Sequence, residues 1–231
     1  MKISVIITAG GAGKRLPGKV KKQFLEINGK PILFHTIARF SKNAIIDQII
    51  VSLPESDFKK NSQDIRTLFS TDKLKCVIGG KERQDSVYNA LKKCSNDCDI
   101  VFIHDGVRPL FSDRVISESL NLISKGVGTI PASRVKLTLK ECVDGTVVRT
   151  VSRDNLYNVH TPQGFMYKDI LELHTKANKE NIKYTDDAAL YEVAGYKIKI
   201  VNEDDLNIKI TTVEDLELAT YYLEKYSGVN R

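Results

Sequence analysis

At 231 residues, 42% of them hydrophobic and 28% charged, the chain is long enough to enclose a core without disulfides or metals, which excludes collagen-like, disordered and mini-protein classes. Its 35 lysines and arginines against 29 acids give a net charge of +6, which suits an anionic ligand but is too diluted by carboxylates for a nucleic-acid scaffold, so no nucleic-acid partner is expected. No apolar run approaches the roughly 18–20 residues of a membrane span, and Met1 and Lys2 lead straight into a strand-like run without an apolar leader, so a cytoplasmic protein with no membrane partner is expected.

The first predicted element is a strand over Ile3 to Ile7, running into Thr8-Ala9-Gly10-Gly11-Ala12-Gly13-Lys14-Arg15. Small residues let backbone amides approach phosphate oxygens, and the cations neutralise them. The loop is not a Walker A motif, because Arg15 follows Lys14 and Thr8 stands where the first glycine belongs. Nor is it the dinucleotide fingerprint, because Leu16 occupies the third-glycine position. It reads as a glycine-rich anion loop of another type, or as a plain turn. Lys19, Lys21 and Lys22 follow, either as a solvated charge run or as cations within reach of the same phosphates.

Strands are next predicted over Ile45 to Leu53 and Leu74 to Ile78. Gly79-Gly80-Lys81-Glu82-Arg83-Gln84-Asp85-Ser86 then leads into a helix whose Val87, Ala90, Leu91 and Cys94 share one face. The paired glycines allow close backbone approach, where amides can read a flat base. A strand over Ile100 to His104 ends in His104-Asp105-Gly106-Val107-Arg108-Pro109, where Asp105 is placed either to hold a magnesium ion between phosphates or to cap a turn. A helix carrying Ile116, Leu120 and Ile123 precedes a strand over Val127 to Pro131.

These strands do not alternate cleanly, as expected for a parallel sheet covered on both faces. Strand and helix in turn predict a doubly wound α/β fold with a mostly parallel sheet, whose ligands sit beyond the carboxyl ends of the strands. Val135, Leu137 and Leu139 then alternate with polar residues, and Asp144-Gly145 precedes Val147, Val148 and Val151, which predicts an inserted β-hairpin. It is either an arm that packs on a partner subunit or an edge hairpin on its own domain. Leu216, Ala219, Leu223 and Tyr226 mark a closing amphipathic helix. The whole reads as a single domain, 1–231, with a β-arm at about 132–152. The four cysteines, Cys76, Cys94, Cys98 and Cys142, form no C-x-x-C, and with four scattered histidines they predict reduced thiols and no zinc site.

The motifs A-G-G-x-G-K-R, K-Q-F, G-G-x-x-R-x-x-S-V, H-D-x-x-R-P, T-P-Q-x-F, T-D-D-A and N-I-K-I-T occur in order from Ala9 to Thr211. In this the chain resembles the sugar- and polyol-phosphate cytidylyltransferases, above all the methylerythritol phosphate branch of isoprenoid biosynthesis. The resemblance implies a Rossmann-like nucleotidyltransferase fold and a homodimer that exchanges its β-arms. It implies CTP and a polyol phosphate as substrates and magnesium or another divalent cation as cofactor. Ala9, Gly10, Gly11 and Gly13 would line the nucleotide, with Arg15 and Lys22 as catalytic cations on its phosphates. Gly80, Arg83 and Ser86 would serve the cytosine and ribose side, and Asp105 the metal. Arg108, Arg153, Thr161 and Lys209 would bind the polyol phosphate, with Arg153 and Lys209 also catalytic. From sequence context alone, Arg153 beside Asp154 and Lys209 near Asp205 read as surface ion pairs.

A phosphate monoester has a second pKa near 6, so the acceptor is already a nucleophile at neutral pH and needs no base. The reaction then requires alignment of two anions and relief of charge on the departing pyrophosphate, which is work for Lys, Arg and magnesium. The chain departs from the family pattern in three places. Lys21 stands where proline is usual, Pro131-Ala132-Ser133-Arg134 lacks the usual Asp-Thr pair of the arm, and His160 replaces a common glutamine. A ribitol-5-phosphate cytidylyltransferase and a non-catalytic nucleotide-binding module are the alternative readings.

Overall fold

The structure, a computed structural model, describes residues 1–11 and 20–225. The chain begins with β1 (Ile3–Thr8), a 3-10 turn over Lys22–Phe24 and a small hairpin, β2 (Glu26–Ile27) and β3 (Lys30–Pro31). Helix α1 (Ile32–Lys42), β4 (Gln48–Leu53), α2 (Phe58–Leu68), β5 (Leu74–Ile78), α3 (Arg83–Leu91), β6 (Ile100–Asp105) and α4 (Asp113–Leu120) follow. The second half comprises β7 (Val127–Arg134), β8 (Leu139–Val143), β9 (Thr146–Val151), β10 (Tyr157–Val159), β11 (Gln163–Met166), α5 (Tyr167–Glu180), α6 (Asp187–Val193), β12 (Lys197–Asn202) and α7 (Val213–Lys225).

The central sheet runs β10-β7-β11-β6-β1-β4-β5, with β12 added to β7. β5, β4, β1 and β6 are parallel neighbours, β11 is antiparallel to β6, and β12 is parallel to β7. The chain leaves β1 toward β4 and β5, then crosses back through α3 to β6 on the other side of β1. That reversal opens a crevice at the carboxyl ends of β1 and β6, where Thr8 lies beside Asp105.

The runs that lack polar alternation are covered on both faces. Val5 and Ile7 of β1 pack with Ile37 and Phe40 of α1 and Phe111 on one side, while Ile6 faces Val87 and Leu91 of α3 on the other. All are wholly buried, and each such aliphatic side chain contributes about 1.5–3 kcal/mol. The predicted run Ile45 to Leu53 becomes a strand only from Gln48. The run over Leu74 to Ile78 forms the sheet edge and stays half exposed rather than covered on both faces. A third cluster, Ile27, Ile32, Val107, Leu110 and Ile210, receives Ala219 of α7, so the last helix does close the fold.

The hairpin is present but shorter than its apolar pattern. β7 runs on to Arg134, paired with β10, so Val135 and Leu137 lie outside the ladder and β8 starts at Leu139. Asp144 and Gly145 both have positive φ, +48° and +76°, the conformation that lets a two-residue turn match the twist of its strands. Val143, Val147 and Val148 of the hairpin are more than half exposed. Among the described residues no helix is long and apolar enough to cross a membrane.

Candidate active site

A cavity opens at the carboxyl ends of β1 and β6, where ligands of open α/β sheets sit. Its floor is the β1 turn, Ala9, Gly10 and Gly11, and its walls carry Lys22, Arg83, Ser86, Asp105 and Lys209. Sequence expectation and structure therefore bring these eight residues together. Gly13 and Arg15 lie outside the described residues.

Local chemistry fixes each wall. Gln23, almost fully buried, donates from Nε2 to the carbonyls of Ala9 (2.6 Å) and Gly11 (3.3 Å), tying the K-Q-F turn beneath the glycine loop. Its neighbours diverge: Lys21 donates to Asp57 (2.6 Å) and Ser56 (2.7 Å), whereas Lys22 lines the cavity. The start of α3 is set by a capping box between Glu82 and Asp85. Ser86 Oγ accepts from the Gly80 N–H (2.9 Å) and donates to the Glu82 carbonyl (3.0 Å). A Cβ on Gly80 would lie 2.2 Å from that of Asp85, so only glycine allows the turn to close against the helix.

Asp105 is the electrostatic centre. Its Oδ1 accepts from Arg83 Nε (3.2 Å), and its Oδ2 accepts from Lys209 Nζ (2.8 Å) and Arg108 Nε (3.4 Å). Burial pushes the Asp105 carboxyl up, but Arg83, Lys209 and Arg108 outweigh it and hold the group well below the usual carboxylate range. Arg83 also donates from Nη1 to Asp187 (2.7 Å).

Behind Asp105 lies a chain of hydrogen bonds whose directions follow from donor chemistry. The Asp105 N–H donates to Thr161 Oγ1 (3.1 Å), the Thr161 hydroxyl donates to His104 Nδ1 (2.9 Å), and His104 Nε2–H donates to the Arg108 carbonyl (3.0 Å). Complete burial pushes His104 down to about 3, so the ring is neutral. Arg108 Nη1 donates to the Asn207 carbonyl (2.6 Å) and to His160 Nδ1 (3.0 Å). That leaves His160 Nε2 to donate to Ser133 Oγ (3.1 Å). Burial, then Arg108, push His160 down to about 4. Asn207 donates to the Thr161 carbonyl (2.9 Å), and with it the Asn207–Lys209 segment is brought against Asp105. Thr161 and Arg108 thus stand behind the carboxylate rather than on the cavity wall.

Arg153 is not brought to this cavity within one chain. It is exposed beyond β9, with its guanidinium donating to the Lys136 carbonyl, while Lys136 pairs with Asp205. The surface ion pairs expected from sequence context, Arg153 with Asp154 and Lys209 with Asp205, do not form; Lys209 pairs with Asp105 and Asp205 with Lys136. Gln23, Gln163, Asp187 and His174 are among the polar residues that the sequence left without a role. The first three stood inside K-Q-F, T-P-Q and T-D-D-A, whereas His174 had no signal beyond its helix.

Asp105 and Glu82 are the carboxylates that line the cavity among the described residues, a set that fits a divalent ion arriving with phosphate oxygens, since magnesium is commonly held by one or two carboxylates plus substrate phosphates. Among the described residues no group of three or more His, Cys, Asp or Glu forms a protein-only cage.

Residues 3–225 match the family model described as 2-C-methyl-D-erythritol 4-phosphate cytidylyltransferase. A protein of that description from Clostridium perfringens (strain SM101) is 41% identical over 224 residues, covering 96% of this chain and 99% of the relative. One from Clostridioides difficile (strain 630) is 41% identical over 231 residues, covering 98% and 97%. Among solved structures, 4-diphosphocytidyl-2C-methyl-D-erythritol synthase from Anaerococcus prevotii superposes with a TM-score of 0.83 at 34% identity, covering 96% of each chain. The Thermus thermophilus 2-C-methyl-D-erythritol 4-phosphate cytidylyltransferase gives 0.80 at 28% identity, covering 97% of this chain and 100% of that one.

Proposed function

The chain belongs to the 2-C-methyl-D-erythritol 4-phosphate cytidylyltransferase family, and we propose that it performs this CTP-dependent transfer in the cavity at the strand ends. It is a nucleotidyltransferase of isoprenoid biosynthesis. The family match favours methylerythritol phosphate over ribitol phosphate, and turnover over mere nucleotide binding. The observation that carries the placement is the cluster of Arg83, Arg108 and Lys209 on Asp105, facing a glycine turn and Lys22 across one cavity.

In this reading Ala9, Gly10, Gly11 and Gly13 receive the nucleotide, and Gly80, Arg83 and Ser86 take its base and ribose. Lys22 and Arg15 hold the phosphates. A phosphate oxygen of the polyol phosphate attacks the α-phosphorus of CTP; that P–O bond forms as the bond to the bridging oxygen breaks, and pyrophosphate leaves with the electron pair. Among the described residues no histidine lines the cavity, which suits a nucleophile that needs no base. Asp105 would hold the divalent cation, which supplies charge relief between the phosphates. Lys209 forms the polyol-phosphate side, and Thr161 and Arg108, expected from sequence on that side, instead stand behind Asp105 and fix its position.

Arg153 completes that side from a partner subunit in our proposal, with the β8–β9 arm as the exchanged element. Its exposed Val143, Val147 and Val148, together with Leu137 at 79% exposure, support an arm that finds its cover in a second copy. Four free thiols support a cytoplasmic setting. The test is pyrophosphate release with CTP plus 2-C-methyl-D-erythritol 4-phosphate, ribitol 5-phosphate or neither. Release with the first alone is expected; release with ribitol 5-phosphate alone, or with no acceptor preference, contradicts the reading.

A further inference from the structure

Arg83 is held from two sides, and the second side lies outside the cavity. Asp187 opens α6 and is buried, with Oδ2 accepting from Arg83 Nη1 (2.7 Å) and Oδ1 accepting from His174 Nε2 (3.0 Å). His174, on α5, has no exposed side-chain surface. Burial pushes the Asp187 carboxyl up, yet Arg83 and His174 outweigh it and keep the group below its ordinary value. A carboxylate this deep is tolerated only when paired.

The start of α6 is itself pinned. Gln163 donates to Asp186 Oδ2 (2.8 Å) and accepts from the Ala188 N–H (3.1 Å), while Asp186 Oδ1 caps the helix by accepting from the Ala189 N–H (3.1 Å). Asp187 is therefore a fixed anion, and the guanidinium spans from it to Asp105. With Nε on Asp105 and Nη1 on Asp187, Nη2 has no protein partner among the described residues and is the nitrogen left for a ligand.

We infer that Asp187, steadied by His174, is a positioning residue for Arg83. It draws one nitrogen of the guanidinium away from Asp105, so that the cation is divided between two carboxylates instead of forming a bidentate pair with one. Without that pull, the fork of the guanidinium matches both oxygens of Asp105. Arg83 would then swing across the cavity, and Asp105 would be closed to an ion or ribose arriving with the nucleotide. The inference rests on the assignment of Arg83 to the nucleotide made above.

The experiment is a double-mutant cycle on the full chain with Asp187→Asn, Arg83→Ala and both together. It reads CTP affinity by calorimetry without acceptor, KM for each substrate, and melting temperature. Asparagine keeps the shape and one acceptor but removes the charge. Expected is CTP affinity lowered about 10-fold or more in Asp187→Asn, the scale of one charge-assisted hydrogen bond, with KM for the polyol phosphate within about twofold. In the Arg83→Ala background Asp187→Asn should add no more than about twofold.

Parent-like CTP affinity in Asp187→Asn, or losses that multiply in the double variant, would overturn the inference while leaving the role of Arg83 intact. Unchanged CTP affinity in Arg83→Ala would overturn both. Should Asp187→Asn not fold, His174→Leu and His174→Gln serve instead. The leucine removes the donor to Asp187 and is expected to weaken CTP binding at least about threefold, and the glutamine amide to restore it. Equal binding in the two variants overturns the inference.

Discussion

Thr161→Val separates a residue that holds the site together from one that merely touches a substrate. The substitution keeps shape and removes one hydroxyl. That hydroxyl accepts from the Asp105 N–H at 3.1 Å and donates to His104 Nδ1 at 2.9 Å, and both partners are buried. Neither can turn to water, so each becomes an unsatisfied buried group costing about 1–3 kcal/mol, or about 2–6 kcal/mol together. For a chain of this size each kcal/mol moves the melting temperature by about 2–4 °C. A loss near 4 kcal/mol therefore lowers it by about 8–16 °C, in the absence of any ligand. Thr161→Ser retains the hydroxyl and should recover most of the loss, leaving only a missing methyl. Differential scanning calorimetry of the ligand-free protein reads both. If Thr161→Val melts within about 2 °C of the parent, the Asp105–Thr161–His104 chain does not hold the site as argued.

Other expectations follow from the same geometry. Lys22→Ala should lower turnover about 100-fold or more, the scale of one lost transition-state donor, whereas Lys21→Ala, whose ammonium is engaged by Asp57 and Ser56, should stay within about threefold; equal losses in steady-state assays would contradict the division. Lys209→Ala should raise KM for the polyol phosphate and leave CTP affinity largely intact, and equal loss of both would make Lys209 a structural residue. Acid should destabilise the fold in two stages. His104 and His160 are neutral when folded, with pKa values lowered from 6.5 to about 3 and about 4, so the unfolded chain binds more protons and stability falls as pH drops below about 6.5. Asp105 and Asp187 are depressed below their unfolded range, so their contribution is complete above about pH 4 and is lost as pH falls further through their folded values. A melting temperature flat from pH 7 to 4 would contradict the first stage.

Much of the fold was legible because burial on both faces leaves a plain mark. The apolar runs of β1, β4 and β6 needed no neighbour to be recognised, and Asp144-Gly145 declared its hairpin through backbone preference alone. β10, β11 and β12 were missed because their assignment depends on partners rather than pattern. β12, for example, reads Lys197 to Asn202 with most side chains exposed, and only its parallel register with β7 makes it a strand. The site was legible where the chemistry needs a special residue: glycines at the β1 turn, Asp105 at a strand end, Lys22 beside them. Arg108 and Thr161 carried the same motif signal, but their neighbours His104, His160 and Asn207 determine how they act, and no local sequence feature announces those contacts. Asp187 and His174 stand 13 residues apart on separate helices. Their meeting with Arg83 is a property of packing.

The most direct test is a crystal of this protein grown with CTP. Electron density for the triphosphate is expected at Gly10, Gly11 and Lys22, with the cytidine toward Gly80, Arg83 and Ser86. Nucleotide density elsewhere, with the β1 turn unchanged and Lys209 still on Asp105 beside an empty cavity, would contradict that placement.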